Sequence, residues 1–197
     1  MMRTCADCGR EIQSNESWEE GPKGPHHVKG SFQNLDPLSE LAEKYGTDKG
    51  PSTHNYTPVY HTLLSSRREK VEKVLEIGIF RGNSLKMWSD YFPRAKIVGV
   101  DIDPKCAAIF TKAEWPRIEV IIGDAAHDPR VIRDIDIAIG RDVDLVVDDG
   151  SHLGEEIGKA FDAYFFMLRD GGLYVVEDVN LRRSASAMWV MWKHEFA

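Results

Sequence analysis

The sequence predicts an α/β fold of the Rossmann-like, doubly wound kind: a parallel sheet with helices on both faces. Three observations predict it. Apolar runs at residues 74–77, 97–100, 118–122, 143–147 and 173–176 have the length and β-branched content of strands buried on both faces. Stretches with helical spacing alternate with them. Each run ends in glycine or acidic residues, and the carboxyl edge of such a sheet is where ligands bind.

Composition is compatible with that class. The chain has 197 residues, enough for one domain with a real core plus an appendage, with 42% hydrophobic and 29% charged residues. A net charge of -7 argues against nucleic acid, which needs a basic footprint. There is no run long enough for a membrane span, and Met1 to Cys8 lack the apolar core of a secretory signal. Three cysteines give no disulfide framework, so a cytoplasmic protein is expected.

Residues 1–34 read as a flexible polar leader, rich in Gly and Pro between Gly21 and Gly30. Cys5 and Cys8, with His26 and His27, could offer four zinc ligands, but the spacing matches no finger, so the thiols are read as incidental. Residues 35–68 read as a helical lid or cap. Asp36-Pro37 is an N-cap followed by proline at the first helical position; Leu38, Leu41, Ala42 and Tyr45 share a face, and Gly46 is the stop. Thr57-Pro58 repeats the signal for a helix carrying Tyr60, Leu63 and Leu64. Between them lie Gly46-Thr47-Asp48-Lys49-Gly50, His54 and Tyr56, either a substrate-facing wall or a plain capped hairpin.

Residues 69–197 form the predicted Rossmann-like domain. Helices are expected over 84–91, 104–112 and about 130–139. Ile157, Ala160, Phe161, Tyr164, Phe165 and Leu168 form the clearest amphipathic stripe, with Gly171-Gly172 as its end.

The first strand runs into Glu76-Ile77-Gly78-Ile79-Phe80-Arg81-Gly82-Asn83-Ser84. Phe80 fills the middle glycine position of a dinucleotide fingerprint, and Glu76 is a poor neighbour for a pyrophosphate. A nucleoside without phosphates but with cationic groups fits better, and S-adenosylmethionine (SAM) is such a molecule. Glu76, Gly78, Gly82 and Ser84 are the candidate cofactor-binding positions of this turn. Asp101, about twenty residues on, stands where a carboxylate grips a ribose diol. Asp124, at the third strand end, is placed for the adenine.

Asp148-Asp149-Gly150-Ser151-His152 and Glu177-Asp178 follow two neighbouring strands. Carboxylates there suit Mg²⁺ or Ca²⁺, and a histidine beside them can accept a proton from a hydroxyl. Alternation along a strand lets one of Asp148 and Asp149 reach that site.

The strings G-T-D-K, E-I-G-I-F-R-G-N-S-L, V-D-I-D-P, D-D-G-S-H and V-E-D, with His54, Tyr56 and Tyr60, together resemble the metal-dependent SAM O-methyltransferases of macrolide sugars, the mycinamicin and demethylmacrocin type. Cephalosporin hydroxylase-like proteins share these motifs. The resemblance spans about residues 38–180. It implies that Asp149, Glu177 and Asp178 hold Mg²⁺, that His152 is the general base, and that Glu76, Gly78, Asp101 and Asp124 bind SAM. The implied acceptor is a small-molecule glycoside or polysaccharide, methylated at a sugar hydroxyl.

One departure stands out. After Glu177-Asp178 the usual sheet of this family continues through a helix and two more strands, whereas residues 179–197 are too few for them. The sheet is therefore expected to be cut off after its fifth strand. Met188-Trp189-Val190-Met191-Trp192 either covers the bare edge or mediates assembly into a homo-oligomer. A truncated, inactive SAM-binding remnant is the alternative reading.

Overall fold

The computed structural model describes residues 18–21, 24–27, 35–179 and 187–194. Two compact units divide the chain, Met1–Leu63 and Leu64–Ala197. In the first, β1 (Trp18–Gly21) and β2 (Gly24–His27) form a short antiparallel hairpin inside the predicted leader. Cys5 and Cys8 lie outside the described residues.

Helix α1 (Pro37–Tyr45) starts and stops where its capping residues dictate. The Asp36 carboxylate accepts the Leu38 and Ser39 N–H groups at 3.0 Å, and Gly46 ends the helix with φ of 67°. Helix α2 (Thr57–Leu64) is tied back by a 2.7 Å hydrogen bond between the buried Ser39 and Thr57 hydroxyls. In the loop between them the His54 ring stacks on Tyr56, centroids 5.4 Å apart.

The second unit is the sheet domain. Its strands are β3 (Lys73–Ile77), β4 (Lys96–Asp101), β5 (Ile118–Ile122), β6 (Val143–Asp148), β7 (Leu168–Val176) and β8 (Trp189–Trp192). They lie in the order β5-β4-β3-β6-β7-β8. All neighbours are parallel except β7 and β8. Every residue of β6 is buried, which is why its sequence shows no polar alternation apart from Asp144. Asp144 lies deep but accepts the Glu72 and Lys73 N–H groups at 2.8 and 3.0 Å, so its charge is hydrogen-bonded.

Helices α3 (Asn83–Tyr91), α4 (Pro129–Ile139) and α5 (Gly154–Tyr164) bury their apolar faces. Val131, Ile135 and Ile139 of α4 and Ala160 and Tyr164 of α5 share one core with Leu75, Val98, Val146 and Tyr174 of the sheet. The chain runs outward from β3 through β4 to β5, then returns to the other side of β3 as β6. The switch point therefore lies between β3 and β6, where Ile77 pairs with Asp148.

Three local expectations are corrected. In place of a helix over 104–112 there is a 3₁₀ turn, Pro104–Ala108, capped by Asp103. Beyond it the Thr111 hydroxyl accepts the Glu114 N–H at 3.3 Å, and Pro116 biases Trp115 away from helical backbone. Helix α5 ends at Tyr164 rather than at Gly171-Gly172; after a 3₁₀ turn, Leu168 already pairs with Val143. The glycines sit inside β7 at its register shift, where a Cβ on Gly172 would fall 2.9 Å from the Val143 carbonyl oxygen. Finally, the sheet gains a sixth strand. β8 pairs antiparallel with β7, Leu173 opposite Trp192 and Val176 opposite Trp189, so the apolar tail covers that edge. Arg67 fastens it: Nη1 donates to the Gly171 carbonyl at 2.6 Å and the guanidinium lies 5.1 Å from the Trp192 ring centroid.

Candidate active site

The turn after β3 is built by close backbone approach. Gly78 has φ of 82°, and a Cβ there would stand 2.1 Å from the Asp149 carbonyl oxygen. Only glycine suits both conditions, so this residue brings the β3 turn against the end of β6. The turn is then held by Asp101: its Oδ2 accepts the Ile79 and Phe80 N–H groups, both at 2.9 Å, and its Oδ1 accepts the Asp103 N–H at 2.9 Å. Phe80 takes φ of 48°, unusual for an aromatic residue, and leaves its ring 75% exposed.

A cleft of about 440 Å³ opens at this edge of the sheet. Its lining includes Gly78, Asp101, Asp124, His127, Asp148 and Glu156. Of the predicted cofactor-binding residues, Gly78, Asp101 and Asp124 therefore line it, while Glu76, Gly82 and Ser84 do not. Glu76 is fully buried and its Oε2 accepts the Trp88 indole N–H at 2.7 Å, which ties β3 to α3. Gly82 is the left-handed N-cap of α3, packed beneath the Phe110 ring, and Ser84 is buried in that helix's first turn.

The carboxylates of the cleft are shifted in opposite directions. Burial pulls Asp124 upward, but N–H groups of Ala126 and His127 and the His127 ring more than offset it, so its carboxyl lies below the ordinary value. Asp148 goes the other way. Burial pushes it up to about 6, against weaker stabilisation from the Gly150 N–H and the Tyr174 hydroxyl. Burial first, and then the Asp148 charge, raises the Tyr174 phenol above its usual value.

Beside the cleft, ligand atoms of Asp149, His152 and Asp178 all lie within 4.8 Å of one another. His152 and Asp178 adopt φ of 59° and 51°, and neither is glycine. Such backbone costs about 1–3 kcal/mol per residue and persists where surroundings enforce it. The His152 Nδ1 is buried with no hydrogen-bond partner among the described residues. The two carboxylates are oxygen donors of the kind a hard divalent cation takes, and the imidazole beside them has a nitrogen left for a proton. Glu177 does not join this group: its side chain is 2% exposed, and its N–H donates to the Asp148 carbonyl at 2.9 Å. Asp148 and Asp149 divide between the two sites, Asp148 facing the cleft and Asp149 the cluster.

Sequence reasoning did not single out His127, Glu156 or Lys159. The His127 Nδ1 lies 3.1 and 3.2 Å from the two Asp124 oxygens, and its Nε2 is 3.1 Å from Glu156 Oε2 and 2.7 Å from Lys159 Nζ. No motif marks them; only the fold brings the β5–α4 loop against α5.

Residues 75–179 match a family described as a methyltransferase domain. The chain is 39% identical over 149 residues to demethylmacrocin O-methyltransferase from Streptomyces fradiae, covering 72% of this chain and 36% of that protein. It is 38% identical over 150 residues to 8-demethyl-8-alpha-L-rhamnosyl tetracenomycin-C 2'-O-methyltransferase from Streptomyces olivaceus, covering 73% and 38%. Among solved structures it resembles MycE, a methyltransferase from the mycinamycin biosynthetic pathway in complex with Mg and SAH. That match has a TM-score of 0.64 at 36% identity and covers 76% of this chain and 38% of MycE. The chain thus spans just over a third of the length of the curated relatives it matches. With 105 of its 197 residues inside the family match, from 75 to 179 inclusive, the chain belongs to the methyltransferase domain family.

Proposed function

We propose that this chain forms the cofactor-binding core of a SAM- and Mg²⁺-dependent O-methyltransferase acting on a sugar hydroxyl of a glycosylated natural product or polysaccharide. The observation that carries this reading is the Asp149, His152 and Asp178 cluster beside a nucleoside-sized cleft at the switch point. The acceptor class is supported by the relatives, one of which is named for the 2'-oxygen of a rhamnosyl tetracenomycin.

When bound, SAM supplies an electrophilic methyl group and Mg²⁺ a Lewis acid that makes an alcohol more acidic. The chain's own residues do the rest. Gly78 lets the β3 turn approach the nucleoside closely, while Asp101 keeps that turn rigid and Asp124 flanks the adenine end. Ile77, Ile102 and Leu153 give the cleft apolar walls. Asp149 and Asp178 offer the oxygen atoms that a hard cation prefers. His152 takes the acceptor's hydroxyl proton on a ring nitrogen as the oxygen attacks. Glu177 belongs to the same acidic pair; whether it acts as a ligand or as a buried support is read from Glu177→Gln.

The test uses the purified chain. Calorimetric titration is expected to show SAH binding, and methyl transfer from SAM to a glycoside is expected to stop with chelator and with His152→Ala. Asp149→Asn and Asp178→Asn should each weaken Mn²⁺ binding, read by electron paramagnetic resonance. Wild-type turnover in His152→Ala would remove the assigned base. Binding of SAH without transfer to any glycoside would favour a binding remnant over an enzyme.

A further inference from the structure

We infer that Lys159 and His127 orient the Asp124 carboxylate as a reader of a purine's exocyclic amino group, so that the cleft selects an adenine nucleoside over its deaminated, 6-oxo counterpart. This rests on the reading that the cleft holds a SAM-type nucleoside.

One nitrogen sets the direction of the relay. Lys159 Nζ lies 2.7 Å from His127 Nε2. An ammonium only donates, and two protonated nitrogens would repel at that distance, so Nε2 is the acceptor. The ring proton then sits on Nδ1. Nδ1 faces Asp124, 3.1 Å from Oδ2 and 3.2 Å from Oδ1, and donates to that carboxylate. Lys159 is itself held within α5, donating to Glu155 Oε1 at 2.8 Å one turn earlier. That hydrogen bond outweighs desolvation, and the charges of Glu155, Glu156 and Asp124 add to it, which keeps the ammonium above its ordinary value. Glu156 Oε2, 3.1 Å from His127 Nε2, borders the same ammonium. The series Glu155, Lys159, His127, Asp124 thus runs unbroken from α5 to the loop after β5.

The two oxygens of Asp124 are left unequal. Oδ1 accepts the Ala126 and His127 N–H groups at 2.9 and 3.0 Å, which fills its lone pairs. Oδ2 has the Nδ1–H as its hydrogen-bond partner among the described residues and keeps a lone pair for one donor more. Asp124 lines the cleft with Ala125, Ala126 and Ala160, whose side chains bring no hydrogen bonds of their own. His127 and Glu156 line it too, but the Nδ1–H is turned to Asp124 and a carboxylate donates nothing. An adenine amino group brings two N–H donors and matches the spare Oδ2 acceptor. A 6-oxo group sets a carbonyl oxygen against a carboxylate, where no hydrogen bond forms and the partial charges repel. Lys159 matters because a ring protonated on Nε2 would turn a bare nitrogen toward Asp124, acceptor against acceptor, and the carboxylate would lose its aim.

The probes are SAH and S-inosylhomocysteine, its deaminated analogue, titrated calorimetrically into the purified chain at one pH. Wild type should bind SAH about tenfold more tightly, the size of one hydrogen bond to a charged group. Asp124→Asn, whose amide can donate to a 6-oxo group, should remove the preference. His127→Leu should bring the ratio near one, and Lys159→Met should lower it, since the ring loses the donor that sets its tautomer. His127→Asn, whose amide N–H takes the place of Nδ1–H, should keep it. General loosening of the fold would weaken both ligands alike and leave the ratio unchanged, so the ratio separates orientation from support. Equal binding of the two by wild type, or a wild-type ratio in either His127→Leu or Lys159→Met, would overturn the inference while the cofactor assignment stood. A wild-type chain that binds neither overturns both.

Discussion

Replacing Gly78 with alanine asks two things of the backbone at once. The residue has φ of 82°, and an L side chain held on the left-handed side costs about 1–2 kcal/mol. The new Cβ would also sit 2.1 Å from the Asp149 carbonyl oxygen, 2.6 Å from its carbon and 2.8 Å from the Gly150 Cα. All three are backbone atoms, so no rotamer change relieves the contact; either the β3 turn or the end of β6 must move. Overpacking of this kind costs about 1–3 kcal/mol. The sum is about 2–5 kcal/mol, a large share of the 5–15 kcal/mol typical of a domain. Urea unfolding followed by tryptophan fluorescence should show the midpoint falling at an unchanged slope. Gly158→Ala is the control: it lies in α5 with open space where its Cβ would go, and should gain about 0.5–1 kcal/mol. A loss below about 1 kcal/mol for Gly78→Ala would refute the claim that backbone contact at this glycine sets the turn. Because the atom that must move belongs to Asp149, the same variant should also weaken Mn²⁺ binding.

Asp148 makes stability depend on pH in the less common direction. Burial raises its carboxyl from 3.8 to about 6, so the folded state holds the proton more tightly than the unfolded chain. Stability therefore falls as pH rises between those values, by about 3 kcal/mol in all. With chelator present, Asp148→Asn should be the more stable protein above that window and should match wild type below it; a difference independent of pH would contradict the assignment. Trp88→Phe removes the 2.7 Å donor from the buried Glu76 and should cost about 3 kcal/mol, measured by the same unfolding assay. Trp192→Ala takes the ring away from Arg67 and should cost about 1 kcal/mol, with faster amide exchange along β7.

The parallel strands were legible in the sequence because strands buried on both faces leave unbroken apolar runs, and the carboxyl edge of the sheet follows from their connection. The acidic residues after β6 and β7 could be assigned to one region for the same reason. What the side chains do there was less legible. Asp101 reads from its spacing as a ribose ligand and does line the cleft, but the three backbone N–H groups its oxygens accept, which pin the glycine turn, were not legible. Glu76 reads as a cofactor contact; its burial and its bond to Trp88 through Oε2 carried no signal in the sequence. The end of α5 was misplaced because a 3₁₀ turn continues the apolar rhythm of the helix, so Phe165 and Leu168 prolong the stripe after the helix has stopped. The hydrogen bonds joining His127, Glu156 and Lys159 had no local signature, since they link segments 29 to 32 residues apart.

The sixth strand has a consequence for how the Glu177-Asp178 corner is held. The chain leaves the sheet at Glu177-Asp178, and Val179 immediately donates to the Ala187 carbonyl at 2.9 Å before β8 returns along β7. That bond joins the chain where it leaves β7 to the chain where it enters β8. Closing a loop twice as long costs only about 0.6 kcal/mol more. Glu177-Asp178 is therefore held between the Asp148 carbonyl on one side and the Val179–Ala187 bond on the other, whatever length of chain joins those two residues.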